Sequence, residues 1–439
     1  MPENFLGLRG TLDWETNEDP QNWRQGIFRL RPNGSAQILG ILSMLGEFGT
    51  MEVAASKSKG IPSTQHNWWT QKYKAASGAV TGVFTDSGLT TAYTSGGAIG
   101  TQLYIKMALA TAERIRIGHQ VLLMYTGDST AYATAEVLDV VRNGTNSYAK
   151  ISLLEADDNS VSFDLSDADR ILVVGNINAQ GGRMPQILAK NPTQLFNYPQ
   201  IFRTPFGLTT SAETQVLRTE DPHTKERRNA GEDHAAEMEW ALIWSVLSSS
   251  TGENGNPKYT MDGLVSIIRK YAPDNVYDYR TDPDFAGLTW EQGGEAWLNK
   301  ILEVQARYNS DGYLVESGGK ALTAVDVLAR TYGHINLSPG DIGYGIKTAR
   351  WMSPHGEMHF RQHPLMALEP LTQRMALGIP ASVNIEYMPV IGWDTDIHTN
   401  RQANDELSRI DEYITECTIQ VDYPDKLFVA FGFGEKNTV

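Results

Sequence analysis

A single cysteine, Cys417, stands in 439 residues, which excludes any disulfide within the chain and leads us to expect folding in a reducing cytoplasm. Positive charge is also scarce: 37 Lys and Arg face 52 Asp and Glu, for a net charge of -15. Such a surface repels phosphate backbones, which argues against a dedicated DNA or RNA reader but not against passive enclosure of nucleic acid. No run approaches the roughly 18 apolar residues of a membrane span. The start "MPENFLGLRGTLDWETNEDP" lacks the basic head and apolar core of a signal peptide. A soluble chain is expected.

Catalytic signatures are missing too. There is no G-x-x-x-x-G-K-[ST] loop, no full G-x-G-x-x-G and no G-x-S-x-G elbow. The glycine clusters "TSGGAIGT" and "GDIGYGIK" therefore read as turns. Cys417 lies among alternating apolar residues in "ITECTIQV", the setting of a buried structural thiol. Glu412 and Glu416 in "ELSRIDEYITE" read as a solvated flank. His355, His359 and His363 recur every four residues in "HGEMHFRQH", a metal face if helical. Pro354, Gly356 and Pro364 argue against that helix, and on a strand these odd positions share one polar face. A metal-dependent enzyme using the three histidines is thus the weaker alternative, and no catalytic residue, cofactor or metal is expected.

What is present is a folded chain long enough for two or three domain-sized cores. Its 40 glycines and 19 prolines are close to ordinary usage, roughly 7% and 5% of residues. Residues 1–60 read as an arm with one short helix, since Ile38, Leu39, Leu42 and Leu45 keep helical spacing. Thr, Val, Tyr and Gly interleave through 61–117 as in strands and hairpins. In "HNWWTQKYK", Trp68 and Trp69 fall on opposite faces of a strand, so a projecting hairpin must lie on something. From 118 to 175, "HQVLLMY", "AEVLDVV", "YAKISLL" and "RILVVG" alternate with turn clusters and predict a small antiparallel module.

Asp221-Pro222 then starts a helix, with Pro where its missing N–H costs nothing. The pattern predicts a helix over 223–248, charged in its first half. Met238 and Leu242 share one apolar stripe and Trp240 and Trp244 another, so the second half should be covered on two faces. Three further helical patterns follow, "GLVSIIRKYA", "GGEAWLNKILEVQARY" and "ALTAVDVLARTYG", before strand character returns in "IKTARW", "HGEMHFRQH", "SVNIEYMPV" and "LFVAFGFG". No internal repeat interrupts this order.

The succession "NYPQIFRTPFGLTTSAETQV", "TKERRNAGEDHAAEMEWALIWSVL", "NPKYTMDGLVSII" and "YMPVIGWDTDIHTNRQANDELSRIDEYITECTIQVDYPDKLFVAFG" resembles the landmarks of a tailed-phage major capsid protein. The likeness runs from about residue 35 to 436 and rests on dispersed motifs, not on an invariant signature. It implies an α+β chain with the Johnson fold, also called the Hong Kong phage fold. Mapped onto this sequence, it implies an N-terminal arm at 1–60 and an extended β-hairpin loop region at 61–117. An inserted β module would take 118–190, and a peripheral domain 191–287 with its spine helix at 223–248. An axial domain would occupy 288–397, followed by a return to the peripheral domain at 398–439.

The resemblance further implies self-assembly into hexamers and pentamers of an icosahedral virion head, made in the host bacterial cytoplasm. Scaffold, portal and decoration proteins would be partners, and double-stranded DNA would be enclosed without sequence-specific binding or any membrane. Trp68 and Trp69 would contact the neighbouring subunit, while Met238, Trp240, Leu242 and Trp244 would form the spine-helix core. An encapsulin-like nanocompartment shell is the alternative with the same fold.

Overall fold

A computed structural model describes residues 61, 64–71, 76–157, 165–182, 184–189, 191–215, 220–307, 312–332, 339–342, 346–380 and 385–439. The arm expected at 1–60 lies outside these residues. The described residues form two compact units, one within 71–193 and one made of those within 61–70 and 194–439. Helices and mixed sheets coexist, so the class is α+β, as expected.

In the unit 71–193, six strands close an antiparallel barrel: Ser77–Phe84, Gln102–Met107, His119–Tyr125, Asp128–Val141, Tyr148–Leu153 and Arg170–Asn176. Around the barrel the first strand is followed by the second, fifth, fourth, third and sixth. The two-residue period fills its interior, because Leu103 and Ile105, Val121 and Leu123, and Ala149 and Ile151 all point inward and are fully buried. Register shifts at Val80/Gly82 and Val137/Asp139 supply the bends that closure requires.

Here the structure departs from the expected boundary at 117/118. Strands 77–84 and 102–107, assigned to an extended loop, pair with 170–176 and 148–153, assigned to an inserted module. Alternation reveals which residues face inward, whereas closure is a long-range pairing that alternation does not encode. The cluster "TSGGAIGT" is a loop between two barrel strands, with Gly96 and Gly100 at φ of 81° and 85°, left-handed values that favour glycine.

In the other unit, a seven-stranded mixed sheet runs in the order Val276–Asp278, Phe428–Phe431, Ala376–Pro380, Tyr313–Ser317, Gly356–Gln362, Ile346–Ser353 and Pro339–Ile342. Helices Trp290–Gln305 and Gly319–Tyr332 contribute Trp290, Trp297, Ile301, Val325 and Leu328 to a core shared with Tyr313, Phe360 and Phe433 of the sheet side. A capping box of Thr289 and Gln292 starts the first of these helices.

A second sheet centres on Ser408–Val421, which pairs along ten residues with Gln200–Thr209. Its other edge carries Ile385–Pro389 and Asp396–His398. Two further strands, His66–Thr70 and Thr193–Asn197, pair with each other, and the unit 71–193 interrupts the chain between them. The boundary expected at 397/398 is therefore displaced. Strands 385–389 and 396–398 belong with 408–421, and the closing strand 428–431 lies inside the seven-stranded sheet.

The long helix spans Pro222–Trp244 and stops short of residue 248. Asp221 caps it by accepting from the Thr224 N–H at 2.8 Å. At its end the Gly263 N–H donates to the Ser245 carbonyl, and a Cβ on Gly263 would stand 2.8 Å from the Ala241 oxygen. The serine run beyond forms the exposed hairpin Ser248–Thr251 with Pro257–Thr260.

Candidate functional site

The expected contact residues Trp68 and Trp69 separate. Alternation on strand His66–Thr70 turns Trp68 inward, where it is 8% exposed and its indole N–H donates to the Val421 carbonyl at 3.0 Å. His66 stacks on it, with ring centroids 5.6 Å apart. Trp69 faces outward and is 64% exposed. Trp68 is thus engaged within its own chain, contrary to a contact made by the pair, because a strand can offer only every second side chain to one surface.

On the long helix, Met238 and Leu242 are buried against Leu264, Ile268 and Ile419, while Trp240 and Trp244 are partly buried and pack on the same cluster. The apolar half is therefore covered more completely on the Met238–Leu242 side. His234, in the charged-to-apolar transition, is also buried. Its Nδ1 lies 2.9 Å from Thr204 Oγ1 and its Nε2 2.8 Å from Thr415 Oγ1. Both partners come from the sheet under the helix, and burial pushes this imidazole below its ordinary range.

Within the flank "ELSRIDEYITE", Asp411 and Glu412 are not solvated. Glu412 is buried between two arginines: Arg401 Nε lies 2.7 Å from its Oε1 and Arg203 Nε 3.0 Å from its Oε2. Asp411, also buried, accepts from the Asn400 N–H at 2.9 Å and lies 2.9 Å from His223 Nε2 on the long helix. Burial alone would raise both carboxyls, but Arg203 and Arg401 hold Glu412, and the Asn400 N–H, the hydrogen bond with His223 and the nearby Arg409 hold Asp411, below the usual carboxylate range. Sequence reasoning missed this network because its arginines come from strand 200–209 and the turn after 398. The one local sign was a pair of adjacent acids in an otherwise strand-like run.

The three histidines do not converge. His355 sits in the turn before strand Gly356–Gln362, His359 Nε2 lies 3.1 Å from Glu357 Oε1, and His363 Nε2 lies 2.7 Å from Glu239 Oε1 of the long helix. Among the described residues no group of three His, Cys, Asp or Glu side chains is placed to hold a metal ion. Cys417 is buried, and burial pushes its thiol up to about 12, which leaves it uncharged and unreactive near neutral pH. No helix among the described residues is long and apolar enough to cross a membrane.

The largest exposed apolar side chains beside Trp69 include Leu371, Leu407, Ile391 and Val246 in the unit that holds the long helix, and Met184, Ile187 and Ile99 in the barrel unit.

Comparison with known proteins bears on this arrangement. A family model described as SU10 major capsid protein matches residues 8–433. The major capsid protein of Pseudomonas phage PaMx41 is 26% identical over 223 residues, which are 50% of this chain and 52% of that protein. The chain thus spans about half the length of that relative. Among solved structures, one chain of Microbacterium phage Oxtober96 matches over 94% of this chain and 96% of its own, with 8% identity and a TM-score of 0.41. The holo-SrpI encapsulin complex of Synechococcus elongatus matches over 56% and 77%, with 15% identity and a TM-score of 0.38. With the family match extending over nearly the whole sequence, the chain belongs to the SU10 major capsid protein family.

Proposed function

We propose that this chain is the subunit of an icosahedral head shell, which assembles from copies of itself around the double-stranded DNA of a tailed phage. The observation that carries the reading is the family match over residues 8–433. That membership supports a structural role. The acidic balance, a net charge of -15, supports a shell that encloses DNA without gripping its phosphates.

In this reading the long helix Pro222–Trp244 is the spine of the peripheral domain, and the seven-stranded sheet with helices Trp290–Gln305 and Gly319–Tyr332 is the axial domain around which hexamers and pentamers close. Heterologous contacts of this kind generate rings when the rotation closes. Trp69 is the member of the aromatic pair that reaches a neighbouring subunit, supported by its outward position. The arm at 1–60, scaffold, portal and decoration proteins, synthesis in the host cytoplasm and residence in the virion complete the reading.

The test is electron microscopy of the purified full chain, alone and after co-expression with the other head genes of its phage. Closed shells or ring-shaped capsomers are expected. A protein that stays monomeric under both conditions would refute the proposal.

A further inference from the structure

His363 occupies a position where a neutral imidazole satisfies both of its hydrogen-bond partners and a charged one only one of them. It is fully buried at the end of strand Gly356–Gln362 and is the N-cap of the short helix Pro364–Leu368. The Met366 N–H donates to its Nδ1 at 3.3 Å, and its Nε2 lies 2.7 Å from Oε1 of Glu239. A neutral histidine has one ring nitrogen that accepts and one that donates. Since Nδ1 accepts, Nε2 carries the proton and donates to Glu239. One tautomer therefore satisfies both contacts.

A second proton would go onto Nδ1 and turn it into a donor facing the donor of Met366. The buried Met366 N–H would lose its acceptor, a costly state for a backbone group away from water. The contact with Glu239 would respond oppositely, since a hydrogen bond from an imidazolium to a carboxylate is the stronger kind. Protonation thus opens one side of the residue while tightening the other. We propose that His363 is a proton-operated latch, which as a neutral ring holds the turn from Pro364 to Met375 against the long helix and on protonation releases that turn.

Glu239, Arg361 and Glu316 are charged or titratable side chains close to the latch. Glu239, fully buried on the long helix, favours the charged ring. Arg361 opposes it from the same strand as His363. Glu316, fully buried on strand Tyr313–Ser317, has Arg361 Nε 3.5 Å from its Oε1 and no hydrogen bond to either oxygen. Burial pushes its carboxyl upward, toward the uncharged acid, despite Arg361.

The released turn is tied internally by Thr372 Oγ1 donating to the Met366 carbonyl and Gln373 Nε2 donating to the Ala367 carbonyl. Leu368 and Leu371 stand on its outer side, 59% and 93% exposed. The latch accordingly governs how rigidly two exposed leucines are presented. The latch belongs to the single subunit, whether or not it assembles.

Amide hydrogen exchange of the full chain, corrected for the intrinsic effect of pH, tests the proposal between pH 7.5 and 5. In the wild type, protection of peptides covering 364–375 should fall by roughly tenfold on acidification, the scale of a lost helix cap, while helix Leu264–Tyr271 keeps its protection. In His363→Gln, whose amide can accept and donate without titrating, the fall should vanish. In Glu239→Gln, which keeps an acceptor but removes the charge favouring imidazolium, release should need a lower pH. Equal loss in both regions of the wild type, the same pH dependence in His363→Gln, or an unmoved midpoint in Glu239→Gln would each overturn it. Should His363→Gln fail to fold, the shift in Glu239→Gln decides alone.

Discussion

The indole N–H of Trp68 donates to the main-chain carbonyl of Val421 across 353 residues of sequence. This bond ties the strand that precedes the barrel unit to the end of strand Ser408–Val421, so Trp68 serves the subunit's own fold, whereas Trp69 points away from it. Trp68→Ala should destabilise the subunit by about 3–5 kcal/mol, the usual result of truncating a buried Trp, measured by denaturant unfolding. Trp69→Ala should leave that midpoint unchanged and reduce shell yield in electron micrographs. A Trp69→Ala protein that assembles like the wild type would remove Trp69 from the contact.

The long helix offers a graded series. Leu242 is 1% exposed at the centre of its cluster, and Leu242→Ala should cost about 2–5 kcal/mol. Trp240, only partly buried, should lose less on truncation to Ala than Leu242 does. Lys225→Ala should change stability by under about 0.5 kcal/mol as a surface site. Chemical unfolding of the three variants in parallel checks the order, and a large assembly defect in a normally stable Lys225→Ala would place the charged half of the helix at a contact.

The acid limb of stability should reflect Asp411 and Glu412. Their folded carboxyls sit below the values of 3.8 and 4.5 they start from, so each contributes stability that is present above the unfolded value and lost as pH falls through the folded one. Glu412→Gln should be less stable than the wild type at pH 7, and the gap should shrink toward pH 3 as the wild type loses its ion pairs. Because Arg203 is largely exposed, added salt should narrow the gap at pH 7 as well. A gap that widens on acidification would contradict the assignment.

The barrel should fold alone. Among the described residues, 19 buried ones form a core cluster made within the unit 71–193, and a domain of that length buries enough surface to be stable. Expressed as residues 71–193, it should show β-type circular dichroism and one cooperative melt. A fragment without a melting transition would mean that the barrel depends on the rest of the chain.

Local chemistry made much of this readable. The Asp-Pro start of the long helix, the alternation of the barrel strands and the burial of Cys417 depend on neighbours a few residues away, and the sequence carries them openly. The helix end at Trp244 was harder, since the serines beyond it are weak helix formers whose fate depends on Gly263 docking from outside the helix. The pairing of 77–84 with 170–176 and the paired arginines around Glu412 escaped altogether. Both join segments far apart in sequence, and no periodicity reports such a meeting. The histidines show the same divide: a four-residue interval suggests a common face, but the carboxylates that engage His359 and His363 lie on different elements.

Both attachment points of the barrel unit lie on one small two-stranded sheet, five residues to a side, where Gln194 Nε2 reaches Asn67 Oδ1 at 3.1 Å. A guest inserted at these points therefore need only bring termini separated by no more than about 17 Å, the length of a strand of that size. The two strands amount to a socket, and the chain carries a ready-made position at which a foreign domain can be exchanged for the native one.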